Sequence, residues 1–156
     1  MENVKMICFD MDGTIADLYA VNGWNEMLRA EDPTPYAMAK PLYNMERLAN
    51  ILNRLRAVGV EIRVITWLSM NSTEEYKNVV RQVKRDWLAE YNFPFDNFHG
   101  IAYGTTKADS VRKYLNENEN AWLIDDNKKV RSGWTLGRAI DPTEGTLLEI
   151  LEELLV

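Results

Sequence analysis

The sequence contains little cysteine and little histidine. Its 156 residues include one cysteine, Cys8, and one histidine, His99, so the chain cannot form an internal disulfide and has no set of Cys and His ligands for structural zinc. Cys8 lies in an apolar run without an activating base beside it, which favours a packed side chain over a catalytic thiol. We interpret His99 as a surface or packed side chain rather than a catalytic base. A reducing compartment fits this composition, and we expect a cytoplasmic protein.

Glycine, proline and long apolar stretches are also scarce. With 8 Gly, 5 Pro, 46% hydrophobic and 27% charged residues, the chain does not resemble a disordered or collagen-like protein and predicts one globular domain over residues 1–156. No stretch approaches the roughly 20 apolar residues of a membrane span, and the N-terminal residues do not resemble a secretory signal. The 18 Lys and Arg residues against 24 Asp and Glu give a net charge of −6, which makes nucleic acid an unlikely partner.

Short apolar runs alternate with segments of helical periodicity, and this alternation predicts an α/β fold with a parallel sheet flanked by helices. The predicted strands are residues 4–9, 60–65, 98–103, 121–124 and a short fifth strand near 138–140. The predicted helices are one ending near Gly59, a long one capped by Ser72 or Thr73, one over about 107–115, and a C-terminal one. The side chains predicted to face the core are Tyr76, Val79, Val80, Val83 and Trp87 of the long helix and Val111, Tyr114 and Leu115 of the next.

Residues 17–45 follow the first strand and are too many for an ordinary loop. We predict that they form a small cap insertion. The segment is rich in aromatic side chains, which suits either packing over the end of the sheet or contact with a ligand: Tyr19, Trp24, Tyr36 and Tyr43.

Polar residues follow four of the predicted strands. Because the carboxyl ends of parallel strands share one edge of a sheet, these residues are expected to converge there. They are Asp10, Asp12, Gly13 and Thr14 after the first strand, Thr66 at the end of the second, Lys107 after the third, and Asp125 and Asp126 after the fourth. Clustered carboxylates repel one another unless a cation neutralises them, and oxygen ligands suit Mg²⁺. A divalent ion beside carboxylates points to phosphoryl transfer.

The sequence Asp10-Met11-Asp12-Gly13-Thr14 resembles the DxDGT motif of the haloacid dehalogenase (HAD) superfamily. Thr66, Lys107 and the pair Asp125-Asp126 stand where the second, third and fourth motifs of that superfamily belong. The resemblance spans about residues 6–126 and implies a HAD-type, Rossmann-like parallel sheet flanked by helices.

The resemblance also implies a role for each residue. Asp10 would be the nucleophile that forms an aspartyl-phosphate intermediate, and Asp12 would be the general acid and base, with a pKa raised by crowding against Asp10. Thr66 would hold a phosphoryl oxygen, and Lys107 would neutralise charge on the nucleophile and the transferring group. The predicted metal ligands are Asp10, the backbone carbonyl of Asp12, Asp125 and, as a ligand or as the partner of one, Asp126. The predicted substrate-binding residues are Gly13, Thr14 and Trp67.

Within the superfamily, the motif and the Ile15-Ala16-Asp17 that follows it resemble the 5′(3′)-deoxyribonucleotidase and pyrimidine 5′-nucleotidase branch. This implies a Mg²⁺-dependent phosphatase for a nucleotide or another small phosphate monoester. Two alternatives stay open. Thr106-Lys107-Ala108-Asp109 and Leu123-Ile124-Asp125-Asp126 are also similar to the 3′-phosphatase domain of polynucleotide kinase, and the chain could instead be a non-catalytic module that binds a nucleotide or phosphate.

A basic stripe lies on the long predicted helix. Its members are Lys77, Arg81, Lys84 and Arg85. We interpret this stripe as the solvated face of an amphipathic helix rather than as a surface for nucleic acid.

Overall fold

The computed structural model describes residues 3–156 and has a five-stranded sheet at its centre. The strands, numbered along the chain, are β1 (Val4–Phe9), β2 (Ala16–Asp17), β3 (Lys40–Pro41), β4 (Glu61–Trp67), β5 (Asn97–Ile101), β6 (Asn120–Ile124) and β7 (Ala139–Ile140). The α-helices are α1 (Trp24–Arg29), α2 (Thr34–Met38), α3 (Met45–Ala57), α4 (Glu74–Glu90), α5 (Lys107–Val111), α6 (Lys128–Ser132) and α7 (Leu147–Glu153). The predicted α/β fold, a parallel sheet flanked by helices, is confirmed.

The sheet has the strand order β5-β4-β1-β6-β7, and every pairing in it is parallel. β1 lies in the middle, where Phe9 pairs with Val64 of β4 on one side and with Ile124 of β6 on the other. The chain moves from β1 toward β5 and later returns to the other side of β1 with β6. The carboxyl end of β1 is therefore the point where the strand order reverses, which is where α/β proteins bind ligands.

Both faces of the sheet are covered by helices. Along β1, Ile7 and Phe9 face one apolar cluster, which includes residues of α3 and α7, whereas Met6 and Cys8 face another, which includes residues of α5. This alternation follows from the two-residue period of a strand. On α3 the buried side chains recur at the spacing of one helical face and are Leu48, Ile51, Leu52 and Leu55.

Several element boundaries differ from the sequence-based expectation. β4 continues to Trp67, so Thr66 lies inside the strand near its end. The predicted helix over 107–115 ends at Val111 and continues as a 3₁₀ turn, Arg112–Tyr114. A 3₁₀ turn winds more tightly than an α-helix and changes the direction in which side chains point.

Two residues that the sequence predicts to face the core, Tyr114 and Val79, are exposed instead. Tyr114 is 44% exposed, and it covers the guanidinium group of Arg63, which lies 4.2 Å from its ring centroid. Val79 is 46% exposed on α4. The neighbouring Val80 is buried as predicted, and the buried face of that helix also includes a lysine, Lys84. The N-cap predicted at Ser72 or Thr73 is Thr73, whose hydroxyl oxygen accepts from the Tyr76 N–H.

Residues 17–45 form α1, α2 and a two-stranded antiparallel sheet in which β3 pairs with β2. The segment is hydrogen-bonded to α4 or to its N-cap at three places. The Trp87 indole donates to the Ala39 carbonyl at 2.7 Å, the Tyr76 hydroxyl donates to the Asp32 carbonyl at 3.1 Å, and the Thr73 N–H donates to the Glu31 carboxylate at 3.0 Å. These bonds hold the segment against α4. Over residues 3–156, none of the helices has the length and apolar character needed to cross a membrane.

Candidate active site

The chain turns sharply after β1. The Asp10 N–H donates to the Ile124 carbonyl at 2.9 Å, and the Met11 carbonyl then accepts from the N–H groups of Thr14, Ile15 and Ala16. Gly13 has φ +79°, and a Cβ atom placed on it would lie 2.5 Å from a carboxylate oxygen of Asp126. Glycine is therefore needed at this position both for its backbone conformation and for the close approach of the Asp126 carboxylate.

Lys107 contacts both the predicted nucleophile, Asp10, and a predicted metal ligand, Asp125. Its Nζ donates to Oδ1 of Asp10 and to Oδ2 of Asp125, each at 2.8 Å, and the residue is only 4% exposed. Burial acts to lower the pKa of Lys107, but the carboxylates of Asp10 and Asp125 outweigh it and raise the pKa above its ordinary value. The ammonium group is therefore charged at neutral pH and neutralises part of the negative charge of the site.

Three carboxyl groups cluster at the ends of β1 and β6. Oxygens of Asp10, Asp125 and Asp126 all lie within 4.8 Å of one another. Burial and the nearby charge of Asp10 raise the pKa of Asp125. Burial, with the hydrogen bond and charge of Asp10, raises the pKa of Asp126 to about 7. The Thr14 hydroxyl lies 3.0 Å from Oδ2 of Asp10 and 3.1 Å from Oδ1 of Asp126, so it bridges these two carboxyl groups.

The donor set fits a hard divalent cation. Asp10, Asp12, Asp125 and Asp126 with Lys84 and Lys107 carry a formal charge of −2 when all six are ionised. Burial first, and the charge of Asp10 second, raise the pKa values of Asp12 and Asp125. Carboxylate oxygens are the type of ligand that Mg²⁺ takes in proteins. The Asp12 side chain is not in the three-residue cluster, and the ligand role of its backbone carbonyl stays a prediction.

Lys84 is part of this site, and its assignment to a solvated basic stripe is wrong. The residue is 0% exposed. Its Nζ donates to Oδ2 of Asp12 at 2.9 Å, to Oγ1 of Thr66 at 2.7 Å and to the Trp67 carbonyl at 3.2 Å. The helical period could have revealed it, because position 84 follows Tyr76 and Val80 at intervals of four and precedes Trp87 by three, so it shares their buried face.

Asp12 has a less solvated environment than a surface aspartate. Burial is the main reason that its pKa is raised, and the negative charge of Asp10 adds to the effect, whereas Lys84 opposes it. The raised pKa expected from crowding against Asp10 is thus confirmed in direction, with burial as the larger cause.

A cavity of about 630 Å³ opens over these groups. Asp10, Asp12, Thr66, Lys107 and both later aspartates lie on its wall, together with Trp67. Two aromatic pairs also belong to the wall. The rings of Tyr19 and Trp24 from the 17–45 segment and those of Trp67 and Tyr103 from the sheet side each have centroids 5.0 Å apart.

Cys8 and His99 lie outside this wall, as the sequence predicts. Burial raises the pKa of the Cys8 thiol to about 12, so it stays protonated at neutral pH. His99 lies beside the buried Arg63, with 3.0 Å between Nε2 and Nη1, and burial lowers its pKa. Neither side chain contacts the carboxylate cluster.

Solved structures share this fold at low sequence identity. A chain in the structure of the Pnkp1/Rnl/Hen1 RNA repair complex matches with a TM-score of 0.58 and 16% identity, over 88% of this chain and 42% of that chain. D,D-heptose 1,7-bisphosphate phosphatase from Burkholderia Thailandensis matches with a TM-score of 0.50 and 13% identity, over 97% of this chain and 98% of that chain. No family model and no curated protein sequence matches significantly. The present chain spans less than half the length of the RNA-repair chain.

Proposed function

We propose that this protein is a Mg²⁺-dependent phosphomonoester hydrolase that acts through an aspartyl-phosphate intermediate on a nucleotide or another small phosphate monoester. One observation carries the proposal: Asp10, Asp12, Thr66 and Lys107, which come from separate parts of the sequence, lie together on the wall of one cavity beside the carboxylates of Asp125 and Asp126. The likeness of fold to a heptose bisphosphate phosphatase supports it.

In the first step a carboxylate oxygen of Asp10 attacks phosphorus. A new bond forms between that oxygen and phosphorus while the bond from phosphorus to the leaving oxygen breaks, and the proton of Asp12 moves to the leaving oxygen. Lys107 orients Asp10 through its 2.8 Å contact with Oδ1. In the second step Asp12 takes a proton from water, the water oxygen bonds to phosphorus, and the bond to Asp10 breaks to release inorganic phosphate.

Lys84 constrains one oxygen of the Asp12 carboxyl group, because its ammonium group can only donate and Oδ2 accepts from it. In the proposed mechanism Oδ1 therefore carries the proton that moves to the leaving oxygen. The raised pKa of this carboxyl group favours the protonated form that the first step requires.

Carboxylates of Asp10, Asp125 and Asp126 and the backbone carbonyl of Asp12 would hold Mg²⁺. When bound, the ion supplies positive charge that offsets the repulsion between the anionic nucleophile and the anionic phosphoryl group. Lys107 supplies further positive charge from the protein, within hydrogen-bond distance of Asp10 and Asp125.

The walls of the cavity favour a substrate with a flat, polar leaving group. The cavity volume of about 630 Å³ lies in the range of sites that bind small molecules. Aromatic rings such as Trp67 and Trp24 can stack on a nucleobase, and Asn25 and Arg29 on the same wall offer hydrogen bonds. These features support a nucleotide, and the cytoplasm is the expected site of action.

A polynucleotide 3′-phosphatase is the second candidate. A smaller cavity of about 370 Å³ adjoins the first and shares Trp67, Tyr103 and Lys107 with it, and Lys129 lies on its wall. A substrate longer than one nucleotide could extend past the Trp67 and Tyr103 rings into this space. The net charge of −6 opposes an extended phosphate backbone, so we rank the small substrate first.

Phosphate release measured with and without Mg²⁺ tests the proposal. The substrate panel contains nucleoside 5′- and 3′-monophosphates, sugar phosphates and a 3′-phosphorylated oligonucleotide, and Asp10→Asn is the matched control that keeps the size of the side chain. Turnover by the wild type but not by Asp10→Asn is expected on one class of small substrate. Turnover of the oligonucleotide alone would favour the second candidate. Binding of nucleotide with Mg²⁺ but no release from any substrate would identify a non-catalytic binding module instead.

A further inference from the structure

Lys84 is the most completely buried charged residue near the site, and its three ammonium hydrogens have three acceptors. These are Oδ2 of Asp12, Oγ1 of Thr66 and the Trp67 carbonyl, at 2.9, 2.7 and 3.2 Å. Lysine is almost never buried without such partners. A side chain that spans from α4 to the ends of both β1 and β4 can set the orientation of the groups it contacts.

The contact with Thr66 fixes the direction of a hydroxyl group. An ammonium group donates and never accepts, so the Thr66 oxygen must be the acceptor at 2.7 Å. Among residues 3–156, the Thr66 hydroxyl has no hydrogen bond besides this one, and Thr66 lies on the cavity wall. The hydroxyl hydrogen is therefore left to donate to a group that enters the cavity.

Lys84 also lies beneath the 17–45 segment. Its Nζ is 4.7 Å from the centroid of the Tyr36 ring, and the Tyr36 hydroxyl is 3.1 Å from the Ser69 hydroxyl. The ammonium group is thus enclosed by α4, the end of β4, the turn after β1 and the inserted segment. This enclosure shields it from water, so its hydrogen bonds to Asp12 and Thr66 do not compete with solvent.

We propose that Lys84 is a positioning residue, which directs the Thr66 hydroxyl hydrogen toward the phosphoryl group of the substrate and holds the Asp12 carboxyl group in place by its Oδ2 atom. This inference rests on the proposed phosphatase function. Lys84 acts through Thr66 and Asp12 and does not itself touch the substrate. The charge on Lys84 also polarises the Thr66 hydroxyl, which makes that hydroxyl a stronger donor to an anionic phosphoryl oxygen.

A double-mutant cycle between positions 84 and 66 tests the inference. Lys84→Met keeps the length of the side chain and removes all three donors, and Thr66→Val keeps the shape and removes the hydroxyl. Lys77→Met is the matched control, because Lys77 lies on the same helix and pairs with Glu74 on the surface. The readouts are the affinity for inorganic phosphate by calorimetry in the presence of Mg²⁺, the separate values of kcat and KM, and the thermal unfolding of each variant.

Lys84→Met and Thr66→Val are each expected to weaken phosphate binding by about 10-fold and to lower kcat, and the double variant is expected to bind phosphate no more weakly than Thr66→Val alone. Lys77→Met is expected to match the wild type. Lys84→Arg, which keeps a charged donor, is expected to recover part of the phosphate affinity. A lysine with a merely structural role would change the unfolding temperature and leave phosphate affinity unaltered.

Additive losses in the double variant, or unchanged phosphate affinity in a folded Lys84→Met protein, would overturn the inference. If Lys84→Met does not fold, Lys84→Gln replaces it in the same cycle and the same comparison decides. Failure of the proposed function gives a different result. The wild type would then release no more phosphate than Asp10→Asn on any substrate. A wild type that binds phosphate without turnover would still report on the coupling between Lys84 and Thr66, and a wild type that binds none would overturn both proposals.

Discussion

Lys107 and Asp10 form an ion pair with 2.8 Å between Nζ and Oδ1, and both residues are less than 10% exposed. The two residues are 97 positions apart in the sequence. The pair therefore depends on the parallel sheet, which brings the start of α5 to the end of β1. Because the same ammonium group also contacts Asp125 at 2.8 Å, it ties the predicted nucleophile to a predicted metal ligand.

Removing the Lys107 side chain should slow the reaction strongly. Lys107→Ala is expected to lower kcat/KM by about 100-fold or more, because the buried positive charge that stabilises the transferring group is lost. Lys113→Ala, which changes an exposed lysine outside the cavity, serves as the control and should match the wild type. Steady-state rates on the best substrate of the panel measure the effect. An unaltered rate in Lys107→Ala would remove this residue from the site.

Asp10→Asn and Asp12→Asn should fail at different steps. The first is expected to abolish turnover and to form no phosphoryl-enzyme, since an amide is not an effective nucleophile. The second is expected to slow both proton transfers and to accumulate phosphorylated protein, because no base activates the water. Intact-mass spectrometry after acid quenching measures the added phosphoryl group. Near-wild-type rates in either variant would contradict the mechanism.

The fold was predictable where local patterns are strong. Alternation of apolar runs and helical periods predicted the parallel sheet, and α3 shows the spacing of Leu48, Ile51, Leu52 and Leu55 that the sequence displays. The ends of the helices were less predictable, because a helix can end directly or continue as a 3₁₀ turn, as α5 does after Val111. The 3₁₀ turn after Val111 rotated Tyr114 out of the core, where it packs over Arg63 instead.

For the site, motif spacing predicted which residues share one edge of the sheet, and the structure brings Asp10, Asp12, Thr66, Lys107, Asp125 and Asp126 to one cavity. The burial of Lys84 is harder to predict, because buried lysines are rare and the charge of the side chain favours a surface position. Its three acceptors come from the turn after β1 and the end of β4. No local pattern in the sequence shows that these groups meet.

Metal binding should depend on pH through Asp126. The pKa of this carboxyl group is raised to about 7 by burial and by Asp10, so below about pH 7 it holds a proton that a cation must displace. Mg²⁺ affinity is therefore expected to fall as the pH drops from about 8 to about 6, with protons released on binding. Calorimetry in two buffers of different protonation enthalpy measures this release.

Asp126→Asn is the matched control for that experiment, since it keeps the shape of the side chain and removes the titrating group. It should bind Mg²⁺ more weakly at about pH 8 and show less dependence on pH than the wild type. Equal pH dependence in both proteins would show that another group takes up the proton.

Asp96 should contribute to stability far from the cavity. Its Oδ2 accepts from the Ile62 N–H at 2.8 Å, and its Oδ1 accepts from Nη2 of Arg56 at 2.8 Å, so it joins the end of α3 to the start of β4. Asp96→Ala is expected to lower the free energy of unfolding by about 1–2 kcal/mol. Asp86→Ala, which removes an exposed carboxylate bonded to Gln82, should cost less. Urea unfolding at neutral pH measures both.

The contribution of Asp96 should disappear in acid. Burial acts to raise the pKa of this carboxyl group, but the hydrogen bond from Ile62 and the charge of Arg56 outweigh it and lower the pKa below its ordinary value. A group with a lowered pKa in the folded state stabilises the protein above its unfolded pKa of about 3.9 and loses that contribution as the pH falls through the folded value. The difference in unfolding free energy between wild type and Asp96→Ala should therefore be constant from about pH 7 to about pH 5 and shrink below about pH 4. A difference that stays constant into acid would show that the charge of Asp96 adds nothing beyond its hydrogen bonds.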